Sequence, residues 1–213
     1  MGYCPRQILL SKLGVKQFGA DTQGRFQLGD FIHDYIQERV LPGHMTKHEN
    51  QVTVEVDGLT VKGHYDCFDG NTVYDFKSRS GWYRFDPPYN YHIDQLHVYM
   101  KALGVQQGLM VYVSKKDFSV ETYPDYFGQS SERDQVAEQG ELVEFQEGRW
   151  ERIVEKARKV HDVLEANGFP TSIEEVDQHF PNCGDCMGCK FEDGDEFDFS
   201  HVAQYSSNST EGG

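Results

Sequence analysis

Apolar residues recur along this chain with two periods, one helical and one that of a strand, and the switches between them divide it into elements. Ile8, Leu9, Leu10 and Leu13 have near-helical spacing, and Gly14 to Gly24 breaks the pattern. A second amphipathic helix is predicted from Arg25 to Leu41, with Phe26, Phe31, Ile32, Ile36 and Val40 as its apolar set and Pro42-Gly43 at its end. Alternation then takes over. Gln51 to Val56, a strand opening at Leu59, and Asn71 to Ser78 read as a three-stranded meander turned at Asp57-Gly58 and Asp69-Gly70.

The helical period returns from about Tyr91 to Leu103, where Ile93, Leu96, Met100 and Leu103 make the core face. Gly108 to Ser114 and Asp117 to Tyr123 are β-rich, with Lys115-Lys116 between them. Asp125 to Gly140 is polar and acidic and reads as an exposed loop before a short strand, Leu142 to Phe145. A last helix runs from about Gly148 to Asn167. Its stripe of Trp150, Ile153, Val154, Ala157, Val160 and Leu164 is core, not a cofactor-binding face. Beyond Pro170 the chain reads as irregular, and from Phe191 as an acidic tail that turns Ser- and Gly-rich. The expected architecture is α/β, a single domain over residues 1–190 followed by a flexible tail over 191–213.

Composition changes this picture in one respect. The 213 residues carry a formal charge of −15, the wrong sign on average for a protein that grips phosphates. A nucleic-acid site therefore needs a local positive patch, and Lys77, Arg79 and Arg84 supply one in an acid-free run. Elsewhere the acid excess reads as a solvating surface. Mean hydropathy is −0.66, so the core must lean on the 14 Phe and 12 Tyr. Neither a signal peptide nor an apolar run of membrane-spanning length is visible, and a cytoplasmic setting is expected. Five cysteines, an odd number, argue against a disulfide scaffold and for metal or cluster ligation in a reducing interior.

The chemistry concentrates between Gly63 and Lys77. Thr60, Lys62, His64 and Asp66 share one face of their strand, and Val73, Asp75 and Lys77 share one face of theirs. A hairpin between them brings Asp66 and Asp75 together. Two carboxylates placed so close call for a cation, and the oxygen donors suit a hard divalent ion, Mg²⁺ or Mn²⁺. Gln95 and Tyr99, four apart on the third helix, project together, and His33 lies beside the stripe of the second. Alone, that histidine reads as a half-buried residue.

Cys183, Cys186 and Cys189 place three thiols on one tight loop. Zinc sites usually draw two ligands from each of two knuckles, so three from one loop with a distant fourth fit an iron–sulfur cluster better, with zinc the alternative. Cys4 is the expected fourth ligand. Cys67, beside Asp66 on the opposite face of its strand, reads as a packed core thiol.

His33, Gly63-x-x-Asp66, Asp75-x-Lys77 and Gln95-x-x-x-Tyr99 occur in the order of the RecB-like branch of the PD-(D/E)XK nucleases. With Cys4-Pro5-Arg6 in front and the three cysteines behind, the chain resembles the CRISPR-associated RecB-like exonucleases that carry a four-cysteine 4Fe-4S cluster. Asp75 stands where that family commonly has Glu. The resemblance implies a restriction-endonuclease-like core with a mixed central sheet flanked by helices, and a cluster held by Cys4, Cys183, Cys186 and Cys189 that joins the N- and C-terminal segments. It implies exonucleolytic hydrolysis of DNA, preferentially single-stranded, in CRISPR spacer acquisition. In that scheme His33, Asp66, Asp75 and the Phe76 carbonyl hold Mg²⁺ or Mn²⁺. Lys77 orients or activates the attacking water, and Gln95 and Tyr99 position the strand or hold Lys77. Arg79 and Arg84 would meet phosphates, and Trp82 or Tyr83 would stack an unpaired base; an exposed basic loop with packed aromatics is the competing reading of these four. The expected partners are single-stranded DNA or frayed ends, CRISPR integrase subunits and further copies of the chain. Competing functions are a stand-alone virus- or repair-associated nuclease, a non-catalytic DNA-binding assembly subunit and, from the cysteines alone, an electron-transfer protein.

Overall fold

The computed structural model describes residues 4–17, 19–36, 38, 50–79, 90–116, 120–123, 143–182 and 196–202. The chain divides into two compact units. One gathers the segment up to Gly24 with the segment from Arg152 onward, and the other comprises Arg25–Glu151.

In the first unit, α1 (Pro5–Leu13) starts on Pro5, which suits the first helical turn, and stops at Gly14, whose φ of 65° is left-handed. Leu9, Leu10, Leu13 and Val15 form its core with Val160, Val176 and Val202. The two ends of the chain meet here. The short strand β1 (Lys16–Gln17) pairs antiparallel with β9 (Glu196–Phe197), and His201 Nε2 lies 2.7 Å from the Leu13 carbonyl oxygen. Residues 196–202 therefore belong to the fold rather than to a flexible tail, because Phe197, Phe199 and Val202 find apolar partners in this core.

The stretch after Pro170, expected to be irregular, holds a helix, α5 (Ile173–His179). Ser172 caps it by accepting from the Glu175 N–H, and Glu175 reaches back to Thr171. This Ser-x-x-Glu signal stands in the sequence, masked there by the shortness of the helix. Arg6, 2% exposed, donates from Nε to Asp177 Oδ1 at 2.7 Å and ties α1 to α5. Arg6→Ala is expected to cost about 2–4 kcal/mol, the range for emptying a large buried side chain, and to lower the denaturation midpoint at unchanged slope.

In the second unit the strands are β2 (Asn50–Val56), β3 (Leu59–Tyr65), β4 (Cys67–Phe68), β5 (Thr72–Arg79), β6 (Gln107–Ser114), β7 (Val120–Tyr123) and β8 (Val143–Glu144). β2 and β3 form an antiparallel ladder turned at Asp57-Gly58, both at positive φ, as the Asp-Gly pair predicts. The expected third strand of a meander does not join them. β5 is instead central to a mixed sheet, antiparallel to β4 and parallel to β6, whose far edge takes β7 and β8. A parallel pair needs a crossover, and α3 (Asn90–Leu103) lies between β5 and β6 in sequence and packs on both strands. The α/β class and the mixed sheet flanked by helices thus hold.

The helix expected over Arg25 to Leu41 is α2 (Ala20–Tyr35), and it begins five residues earlier. Its polar opening turns carry Asp21, which complements the helix dipole and which the apolar period could not reveal. Its core contribution is also narrower than expected. Ile32 and Ile36 are buried with Phe76, Val111 and Val113, whereas Phe26 and Phe31 are 50% and 60% exposed. Val40 lies outside the described residues. On α4 (Glu147–Asn167), Trp150, Ile153, Val154 and Val160 are buried as expected. Among the described residues no helix is long and apolar enough to cross a membrane.

Candidate active site

Alternation along β3 buries Leu59, Val61 and Tyr65 and leaves Thr60, Lys62 and His64 exposed. Continued one step further, it would put Asp66 on the solvent side. The chain bends at Asp66 before β4 begins, and the carboxylate turns inward to 7% exposure. There Asp66 Oδ2 accepts the Phe76 N–H at 2.5 Å, which ties the bend to the middle of β5. The turn that returns the chain is held by Asp69, whose Oδ1 accepts from the Asn71 and Thr72 N–H groups.

On β5, Asp75 is 1% exposed, and Lys77 Nζ lies 2.8 Å from its Oδ2. Burial pushes the Asp75 carboxyl up to about 6; Lys77 pulls against that shift and the charge of Asp66 adds to it. On α2, His33 Nδ1 lies 3.5 Å from Asp66 Oδ1, and its ring meets Phe76 edge-on at 6.4 Å. Burial alone would lower the His33 pKa, but the hydrogen bond and charge of Asp66 outweigh it and raise it. Asp75 is thus answered by the Lys77 ammonium and Asp66 by the His33 ring. Among the described residues no three His, Cys, Asp or Glu side chains converge closely enough to hold an ion unaided.

The third helix contributes the remaining members. Gln95 Nε2 donates to the Tyr99 hydroxyl, so the pair at i and i+4 is joined as the spacing predicts. Tyr99 is 1% exposed and lies over β3, where a Cβ built on Gly63 would meet its ring at 2.7 Å. The glycine before Asp66 is therefore needed for close approach. Gly63→Ala is expected to lose about 1–3 kcal/mol, as overpacked cores do, read by thermal unfolding, and to displace Tyr99.

One pair was not singled out from the sequence. His92 Nδ1 lies 3.0 Å from the Tyr112 hydroxyl, and Tyr112 is the register partner of Lys77 in the parallel β5–β6 ladder. The signal was present, since His92 precedes Gln95 by three and Tyr99 by seven and shares their helix face.

The other expected site residues are only partly placed. Arg79 ends β5, and its carbonyl accepts the Lys115 N–H at 2.6 Å. Trp82, Tyr83 and Arg84 lie outside the described residues, as do Cys183, Cys186 and Cys189. Cys4 is half-buried at the N-cap of α1. Cys67 is fully buried in the core, and burial pushes its thiol up to about 11, which matches the packed-thiol reading. At Phe76 the contact with Asp66 is through the N–H.

No family model matches the chain, and no curated protein matches it. Among solved structures it is similar to one described as "Crystal structure of SSO0001", at 18% identity over 88% of this chain and 83% of that one, with a TM-score of 0.48.

Proposed function

We propose that this chain is a metal-dependent deoxyribonuclease with a restriction-endonuclease-like core, of the kind the CRISPR-associated RecB-like exonucleases represent. One observation carries the reading: the buried Asp66 and Asp75 carboxylates lie together, with the half-buried Lys77 against Asp75 and His33 against Asp66. A buried acid pair beside a lysine is costly as pure structure and useful for handling phosphate.

The donor set suits Mg²⁺ or Mn²⁺. Asp66 and Asp75 are hard oxygen donors, and a buried carboxylate driven toward protonation by desolvation and by its neighbour is stabilised by a divalent cation. His33 and the Phe76 carbonyl complete the proposed ligands. A bound ion would polarise the scissile phosphate and acidify water. The chain's own groups do the rest. Lys77 Nζ orients the attacking water and balances charge that develops on the phosphoryl oxygens. Gln95 and Tyr99, joined on one face of α3, are assigned to positioning the strand or holding Lys77. Arg79, with Arg84, Trp82 and Tyr83, is assigned to the approaching strand. Single-stranded DNA, exonucleolytic action, a role in spacer acquisition and contacts with integrase subunits follow from the resemblance.

The same resemblance assigns a 4Fe-4S cluster to Cys4, Cys183, Cys186 and Cys189. Its support here is that Cys4 opens α1 in the unit that unites both ends of the chain. Anaerobic purification followed by digestion of end-labelled single-stranded DNA in Mn²⁺ tests both assignments. The expected protein is brown, binds about four irons per chain and shortens the strand. Cys4→Ala is expected to lose that iron. No cleavage in Mn²⁺ rejects the nuclease, and a colourless protein with stoichiometric zinc rejects the cluster.

A further inference from the structure

We propose that His92 is a positioning residue, which with Tyr112 holds Lys77 in place against Asp75. This rests on the nuclease reading above and adds to its machinery a pair that the motif residues do not include.

Lys77 carries its ammonium on a long four-carbon stem. Such a side chain keeps one position only where neighbours restrict it. Asp75 Oδ2, 2.8 Å from Nζ, restricts it from its own strand. The adjacent strand supplies Tyr112, the Cα partner of Lys77, and register partners in a parallel ladder point to the same side of the sheet. Tyr112 is 2% exposed, so its ring is fixed. Its hydroxyl meets His92 Nδ1 at 3.0 Å, with the two ring centres 5.7 Å apart, and Tyr91 packs edge-on against the His92 ring at 4.3 Å. Helix α3 thus lowers a rigidly held imidazole onto the strand pair at the level of Lys77.

The electrostatics agree. Burial, and then the Lys77 charge, push the His92 pKa down to about 2. Both causes favour the neutral ring, which does not repel the nearby ammonium. A charged side chain in its place would either drive Lys77 from Asp75 or compete for it. His92 shares a helix face with Gln95 and Tyr99, which are already bonded to each other. His92 reaches the Lys77 strand pair through its contact with Tyr112.

The test compares His92→Leu, His92→Asn and Tyr112→Phe with wild type, in steady-state cleavage of single-stranded DNA with Mn²⁺ and in thermal unfolding with and without Mn²⁺. His92→Leu and Tyr112→Phe are expected to lower kcat about 10–100-fold, the usual cost of loosening the support of a catalytic group. KM should change by less than about twofold, because the lost interaction is not one with bound substrate. The double variant should be little worse than either single one, since both remove the same restraint. His92→Asn should recover most of the loss, because its side-chain amide can take the place of Nδ1. The Mn²⁺-induced rise in melting temperature should persist in all of them, because the metal donors are untouched. An unchanged kcat in His92→Leu, or equal losses in the Leu and Asn variants that track a fall in melting temperature, would overturn the assignment. Wild-type protein that fails to cut rejects the nuclease reading itself, and with it this one; wild type that cuts beside unchanged variants rejects His92 alone.

Discussion

Replacing Lys77 with alanine is expected to remove cleavage while leaving the fold intact. Lys77 is 21% exposed in its side chain and stands at the edge of the patch, so its loss leaves no large cavity. What is lost is the one ammonium held 2.8 Å from the buried Asp75 carboxylate. A group that orients water and balances charge in the transition state contributes about 10²–10⁴-fold to rate. The variant should therefore cut end-labelled single-stranded DNA at least about 100-fold more slowly than wild type in Mn²⁺, with the same melting temperature to within a few degrees. Equal rates in the two proteins would sink the site assignment, whatever the fold.

Asp75→Asn is expected to act in opposite directions on stability and on activity. Burial holds the Asp75 carboxyl near 6, above its ordinary 3.8. Between about pH 4 and pH 6 the native chain therefore binds a proton that the unfolded chain has already released. The contribution of Asp75 to stability is greatest below that window and falls as pH rises through it. Above it, the metal-free protein carries a buried charge that desolvation disfavours more than Lys77 compensates. Asparagine removes that charge at nearly constant volume. At pH 7.5 and in chelator, Asp75→Asn should be more stable than wild type by on the order of 1–3 kcal/mol, and the difference should vanish near pH 4. Mn²⁺ should raise the melting temperature of wild type at pH 7.5 and leave that of the variant unchanged, because ligand binding stabilises only a chain that keeps its donors. Cleavage should be lost. A variant less stable than wild type at pH 7.5 would mean that Asp75 serves its ion pair with Lys77 and has no cation to hold.

Both predictions concern residues that could be read from the order of acids and lysine, yet the reason they meet could not. Alternation along β3 puts Asp66 with Lys62 and His64, on what proves to be the exposed face. A bend at Asp66 reverses that, and a one-residue departure from the strand period exchanges solvent for core. Similarly, Asn71 to Ser78 reads as the next strand of a meander because a tight turn precedes it. Its main partner is β6, some thirty residues on, since a parallel pair has no local signature beyond the helix that crosses between its strands. The aromatic residues of α2 were misplaced for a related reason: the helical period groups Phe26 and Phe31 with Ile32 and Ile36, but only a neighbouring surface decides which of them is covered.

What the sequence by itself determined is local. The Asp-Gly turns, the helix on Tyr91 to Leu103 with its Gln95–Tyr99 pair, the core stripe of α4 and the buried fate of Cys67 depend on short-range sterics and on burial of plainly apolar faces. The tertiary structure decided where two units divide, that the end of the chain returns to pair with its beginning, and that Asp66, His33 and Lys77 stand around Asp75. It also brought His92 and Tyr112 together beside Lys77. These depend on contacts between residues far apart in the chain, and such contacts are selected by the packing of whole elements, which no local period encodes.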